Sequence, residues 1–527
     1  MRAKGSTAYE LRMDDPLTVH ERGDATAQAQ LPGTENIHNR DGLDANADTP
    51  LIGSAVRTAG RKRYREVFSC VSQHLVTYSK FIGPGFLIAV AYIDPGNYAT
   101  DVAAGSETRF ALLFIIFASN LIAILFQSLC IKLGIVTGRD LAQNCRAHLP
   151  RWMTLLLYGA AETAIIATDI SEVIGSAISL KLLFNIPLVA GCAITLVDTL
   201  FILMFYRPYG SMMELRAFEG FVTLLVLGVT ACFCVELSFI RDTSVGEVLR
   251  GYLPSATIFR GNAIYLSCGI VGATVMPHSL FLGSGLVQAR LKEFDLDQGY
   301  AEIEGHGNRA TAGNSHTDEN RDGDKTEYHP TIAAIRGCMK YSIVELSVSL
   351  VTFATFVNSA ILIVSGASLY GNPEAGDADL FGIHDLLSQT ISPAAGTVFA
   401  LALLFSGLSA GVIGTIAGQM VSEGMLDWKM SPWVRRLITR SISIVPSVVI
   451  AAAVGRDGLD AALTASQVVL SILLPVVTAP LIYFTSRDQY MTVRGRLNGP
   501  DAPMVTIKMT NSWLTLSALV FISLGKV

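Results

Sequence analysis

Eleven apolar stretches follow one another from Phe81 onward, most of them close to the roughly 20 residues needed to cross a bilayer core. They run Phe81–Ala104, Phe110–Leu133, Met153–Leu183, Pro187–Phe205, Phe218–Phe239, Ala263–Val287, Cys338–Val364, Pro393–Val421, Leu437–Ala453, Leu463–Phe484 and Trp513–Leu524. Lipid offers no partner to a peptide group, so stretches of this length must satisfy their own backbone as helices. The expectation is an all-α integral membrane protein with about eleven transmembrane helices. Only 16% of the 527 residues are charged, against roughly a quarter in a soluble domain, which argues against a soluble enzyme. A net charge of −5 without a basic run interleaved with aromatics excludes a nucleic-acid partner. The eight cysteines are scattered and show no CxxC pair, so neither a disulfide framework nor a zinc module is expected. No HExxH motif and no nucleophile–base pair supports an intramembrane enzyme.

Residues 1–65 are polar and lack apolar periodicity, and are read as a disordered cytoplasmic tail without a signal peptide. With the N-terminus in the cytoplasm, Arg61, Lys62, Arg63, Arg65, Arg139, Arg146, Arg151, Arg207 and Arg216 all fall inside, as the positive-inside rule requires. A first half (81–239) and a second half (263–484) are expected, with a flexible cytoplasmic loop at 288–337 and a short terminal helix at 512–527. The membrane itself, plasma or vacuolar/endosomal, is left open.

The first and sixth stretches are interrupted in the same way, by Asp94-Pro95-Gly96-Asn97 and by Met276-Pro277-His278. Breaks at corresponding positions five segments apart are the signature of an inverted five-plus-five repeat whose discontinuous helices meet at a substrate site near the midplane. A proline has no N–H to give to the carbonyl four residues earlier, which frees the Ala91 oxygen before Pro95 and the Ala273 oxygen before Pro277. A cation would satisfy both. Beside them stand the Asp94 carboxylate, the Asn97 amide oxygen and the Met276 thioether. Hard Ca²⁺ and Mg²⁺ seek oxygen, while a thioether favours transition metals, so this mixture predicts Mn²⁺, Fe²⁺ or similar ions over Ca²⁺. An organic-solute symporter of the same fold class would have no use for the sulfur. A metal sensor without transport is the other alternative.

Glu162, Asp169 and Glu172, spaced seven and three apart, share one face of the third helix. They read either as a proton path or as ion pairs with a base such as Arg440 on the ninth segment. Asp198 and Glu236 are further membrane acids, expected to be structurally paired.

Asp94-Pro95-Gly96-Asn97 with Met276-Pro277-His278, and the third-helix run from Glu162 to Gly175, resemble the Nramp family of proton-coupled divalent metal transporters. The likeness covers about Phe81 to Phe484 and is greatest to the fungal branch. It implies an eleven- or twelve-helix symporter with Ala91, Asp94, Asn97, Ala273 and Met276 as metal ligands. Gln467 matches the family's tenth-helix glutamine ligand. It assigns Asp169, Glu172 and Arg440, with Glu162 as a further member, to the proton route, and makes His278 an electrostatic or relay group rather than a ligand. The implied partners are divalent metal ions, protons and the lipid bilayer, with no cofactor and a monomeric functional unit. Two positions depart from the family: Gly283 where many relatives have a second histidine, and Leu408 where glutamine is usual.

Overall fold

The computed structural model describes residues 83–204, 212–241, 243–299, 330–371, 380–426, 432–453, 456–496 and 504–510. The first ten apolar stretches are helical there, and the expected tail and terminal helix lie outside the described residues. The first stretch is two helices, α1 (Pro84–Val90) and α2 (Pro95–Thr108). Then come α3 (Leu113–Thr137), α4 (Leu141–His148), α5 (Arg151–Phe184), α6 (Leu188–Met204) and α7 (Met212–Phe239). After a short α8 (Val245–Gly251), the sixth stretch is again two helices, α9 (Ala263–Thr274) and α10 (Ser279–Asp297). The seventh runs as α11 (Ile332–Ser349), a π turn at Leu350–Ala354 and α12 (Thr355–Ser368). The remainder is α13 (Leu380–Thr390), α14 (Pro393–Leu426), α15 (Pro432–Ala453), α16 (Arg456–Thr485) and a β-hairpin of β1 (Thr492–Arg496) and β2 (Met504–Lys508).

Among the described residues, seven helical stretches are by themselves long and apolar enough to cross a membrane, from Leu113–Thr137 to Ala461–Thr485. Of the other three stretches, the first is divided between α1 and α2, α6 has 17 residues, and α15, with 22, carries Arg435, Arg436 and Arg440. Apolar side chains at helical spacing point outward, such as Leu121 and Leu125 on α3 and Val344, Val348 and Val351 in the seventh stretch. In water such stripes would be a liability; facing acyl chains they are the expected surface. The expected loop at 288–337 is shorter than apolarity suggested, because α10 continues to Asp297 and α11 begins at Ile332. Asp295 ties these two ends together, accepting from the Thr331 N–H at 2.9 Å and its hydroxyl at 2.6 Å.

The core is organised around α5 and α14, which pack along each other, while α2 runs beside α12 and crosses α9. Helix ends are set locally. Gly138 adopts φ 66° to close α3, and Asp140 and Gln143 form a reciprocal capping box that opens α4. This arrangement brings both breaks, the middle of α5 and the start of α16 into the buried centre.

Candidate metal centre

At the first break the N–H groups of Ala91, Tyr92 and Ile93 turn back to the carbonyls of Ile88, Ala89 and Val90, and the chain then extends at Asp94 (φ −100°, ψ 163°). Pro95 starts α2, where its missing N–H costs nothing. Asp94 caps the new helix: its Oδ1 accepts from the Asn97 N–H at 3.1 Å and from Asn97 Nδ2 at 2.8 Å. Its other oxygen accepts from the Ser171 hydroxyl of α5 at 3.2 Å. Asn97 Nδ2 also donates to the Tyr92 carbonyl, so the amide oxygen faces the interior, and it has no hydrogen-bond partner. Of the break carbonyls, Tyr92 also receives Asn358 and Ile93 receives Ser406, whereas no hydrogen bond among the described residues ends on Ala91.

The second break mirrors this. The Val275 N–H closes α9 on Val271, none of the described hydrogen bonds ends on the Ala273 carbonyl, and α10 restarts after Pro277 and His278. Met276 is fully buried between the two halves. Its carbonyl is taken by Ser279, through both the N–H (3.2 Å) and the hydroxyl (2.7 Å), leaving the thioether as its free donor. Gln127 of α3 bridges the breaks by donating to Tyr92 Oη (2.9 Å) and to Ser279 Oγ (2.9 Å).

Gln467 of α16 lies against both broken helices through glycines. A Cβ on Gly96 would sit 2.0 Å from Gln467 Nε2, and a Cβ on Gly272 would sit 2.0 Å from the Gln467 carbonyl oxygen. The Gln467 amide donates only to Ser466, and its Oε1 is buried without a partner. Asn97 Oδ1 and Gln467 Oε1 are thus two buried amide oxygens whose lone pairs are free to accept a cation. Among the described residues no three His, Cys, Asp or Glu side chains group as a metal site. The candidate donors expected from the sequence are instead one carboxylate, two amide oxygens, a thioether and two backbone carbonyls.

Asp169 and Glu172 are buried on α5, and both approach the same small residue: a Cβ on Gly414 of α14 would lie 3.2 Å from Asp169 Oδ1 and 3.1 Å from Glu172 Oε1. Between them Ser171 reaches Asp94, and one turn away Thr168 Oγ1 lies 3.4 Å from His278 Nδ1. The acidic face of α5 thus touches both breaks. Sequence reasoning missed Ser171 and Thr168 because hydroxyls are common in membrane helices; their position beside Asp169 and Glu172 was the available signal. Glu162 is half-buried further along α5. Arg440 belongs to α15, and its side chain, like that of Asp198, lies outside the described residues. Glu236 does not have the expected structural partner: both its oxygens are buried without a hydrogen bond.

The two departures have structural settings. A Cβ on Gly283 would lie 2.0 Å from Gln127 Oε1, so the glutamine side chain occupies the space a larger residue would need. Leu408 is half-buried on α14, next to Ser406 and Gly407, which pack on the first break and on Ser176.

A multi-pass α-helical membrane protein with two broken helices and buried polar groups beside both breaks is the class these features define. Residues 85–497 match the Nramp family, described as natural resistance-associated macrophage protein-like, and the chain belongs to that family. It is 50% identical over 485 residues to the manganese transporter SMF1 of Saccharomyces cerevisiae, covering 92% of this chain and 80% of that one. It is 54% identical to the manganese transporter pdt1 of Schizosaccharomyces pombe, over 79% of this chain and 76% of that one. With the iron transporter SMF3 of Saccharomyces cerevisiae it shares 50% identity, over 82% and 86%. The crystal structure of the Eremococcus coleocola manganese transporter, in complex with an aromatic bis-isothiourea substituted compound, superposes with TM-score 0.68 at 30% identity, over 86% of each chain.

Proposed function

We propose that this protein is a proton-coupled symporter that carries Mn²⁺, Fe²⁺ and related divalent ions toward the cytoplasm by alternating access. The observation that carries the proposal is the convergence of both helix breaks and Gln467 on buried oxygens that have no donor. Asp94, Asn97, Met276, Gln467 and the carbonyls of Ala91 and Ala273 hold the ion, which is cargo; no resident cofactor is required. The thioether of Met276 favours transition metals, and by the Irving–Williams trend the site alone does not rank Mn²⁺ above Co²⁺, Ni²⁺ or Zn²⁺.

Protons leave along α5. Ser171 reaches Asp94 from the turn that carries Asp169 and Glu172, Thr168 of the same helix lies beside His278, and Glu162 and Arg440 continue the route. Placing α1 at the cytoplasmic side puts α2 outward, so the ion enters along α2 and leaves past α1 as the helices around the breaks rock against α5 and α14. An inside-negative potential helps by roughly 2.3 kcal/mol per elementary charge per 100 mV. The monomer carries all of this machinery, in the plasma membrane or in a vacuolar or endosomal membrane.

The test is reconstitution into liposomes holding a metal-sensitive and a pH-sensitive dye. External Mn²⁺ at acidic pH should enter with internal acidification, and Asp94→Asn should abolish both. Entry without acidification would leave a uniporter and return the α5 acids to a structural role. Mn²⁺ binding without entry would indicate a sensor.

A further inference from the structure

We propose that Asp101 forms a second, weaker station for the divalent cation, about two turns along α2 from Asp94, which holds the ion before it reaches the centre between the breaks. The inference rests on the transport reading above. Asp101 is completely buried, and neither of its carboxylate oxygens accepts a hydrogen bond. Other buried acids near the breaks are provided for. Asp94 accepts from Asn97 and Ser171, Glu219 pairs with Arg290 at 2.8 Å, and Glu345 accepts the N–H groups of Gly83 and Gly85 at 3.0 Å. A carboxyl with no donor in a protein interior is neutralised by a proton or by a cation, and the place of Asp101 in line with the first break favours the cation as the occupant that matters for transport.

Its position says which cation. Asn97 and Asp101, four residues apart, share one face of α2, and Asp94 caps the start of that helix with its carboxylate on Asn97, so Asp101 lies a helical rise of about 6 Å beyond Asn97. Side chains at such spacing are neighbours. Asn97 Oδ1, itself without a donor, therefore lies between the Asp94 and Asp101 turns. One amide oxygen can serve an ion at either station, which gives a stepwise path along the helix. The Asp101 turn packs against α12, where Ser365 Oγ donates to the Asp101 carbonyl at 3.4 Å, and the same interface is narrowed by Gly105 and Gly366. Glu236 is equally unpartnered, but it stands on α7 rather than in line with a break, so it does not extend this path.

The chemistry of the station follows from its donors. Asp101 and Asn97 supply only oxygen, with no sulfur, so the station takes Ca²⁺ and Mg²⁺ as readily as Mn²⁺. Discrimination then belongs to the inner centre with Met276.

The test uses the full chain and Mn²⁺ alone as the probe, with equilibrium binding read by loss of the free-ion EPR signal. The Asp94→Asn variant should retain one weak Mn²⁺ site that Ca²⁺ displaces, and Asp94→Asn/Asp101→Asn should lose it. In liposomes, Asp101→Asn should raise the KM for Mn²⁺ offered from the side of the α2 carboxyl end about tenfold. Its maximal rate, and the KM from the opposite side, should stay within twofold. Asp101→Glu, which keeps the carboxylate, should restore the weak Ca²⁺-displaceable Mn²⁺ site in the Asp94→Asn background, and the folded yield of Asp101→Asn separates loss of a ligand from misfolding. Equal residual binding in the single and double variants would overturn the proposal. So would a shifted pH profile with unchanged KM, which would make Asp101 a proton carrier. If Asp94→Asn transported Mn²⁺ normally, the inner centre rather than this station would be refuted.

Discussion

Gly272→Ala should damage transport through packing, without replacing any of the residues proposed to hold the ion. A Cβ there would lie 2.0 Å from the Gln467 carbonyl oxygen and 2.8 Å from the Ser471 N–H, and real Cβ atoms essentially never come within 3.0 Å. The obstacle is backbone, so no side chain can swing aside, and α9 and α16 must separate by about 1 Å (3.0 minus 2.0). Overpacking of this kind costs about 1–3 kcal/mol, and the better helix propensity of alanine returns at most about 1 kcal/mol. A net loss of about 1–2 kcal/mol is expected, read as a lower unfolding temperature in detergent. The functional loss should be larger, because a misplacement of about 1 Å in a positioned group can cost on the order of 100-fold in rate. Gly96→Ala is the control: the three atoms nearest its Cβ all belong to the movable end of the Gln467 side chain. It should leave the unfolding temperature near the parent's while raising the KM for Mn²⁺, since the amide is pushed from the centre. Uptake of Mn²⁺ into proteoliposomes gives kcat/KM for both. A Gly272→Ala protein with parental stability, and with kcat/KM within twofold of the parent, would refute the close approach of α9 to α16 at Gln467.

Met276→Ala should leave some Mn²⁺ uptake but let Ca²⁺ compete; unchanged discrimination in a competition assay would defeat the soft-ligand argument. Gly283→His should lower stability and uptake by colliding with Gln127, and Gln127→Ala should recover the stability but not the uptake, because it removes the bridge between the breaks, as paired thermal melts and uptake rates would test. Arg290→Met leaves Glu219 buried without its partner, at a cost of about 3–5 kcal/mol, and Glu219→Gln added to it should recover most of the folded yield. Asp169→Asn should flatten the pH dependence of uptake while changing Mn²⁺ affinity little, as parallel flux and binding titrations would reveal.

The breaks were legible in the sequence because a proline acts locally: Pro95 and Pro277 remove an N–H wherever the rest of the chain goes, and the helices stop within a few residues of each. The acid ladder on α5 was legible for the same reason, since 3.6-residue periodicity needs no tertiary information. What joins these parts was not. That Ser171 would reach Asp94, or Gln127 fill the space beside Gly283, depends on how distant helices pack, and no spacing within one helix encodes it. Asp101 escaped notice because it lies beyond the motif containing Asp94, and only its burial without a donor distinguishes it. The pairing of β1 with β2 was overlooked because two five-residue strands carry little pattern among long apolar helices.

Anomalous diffraction from crystals grown with Mn²⁺ tests the central claim most directly. The strongest manganese peak should lie between the two breaks, with Asp94, Asn97 Oδ1, the Met276 sulfur and at least one of the Ala91 and Ala273 carbonyls in its coordination sphere. A strongest peak elsewhere, or an ion between the breaks held by water and carboxylate without the sulfur or a break carbonyl, would contradict it.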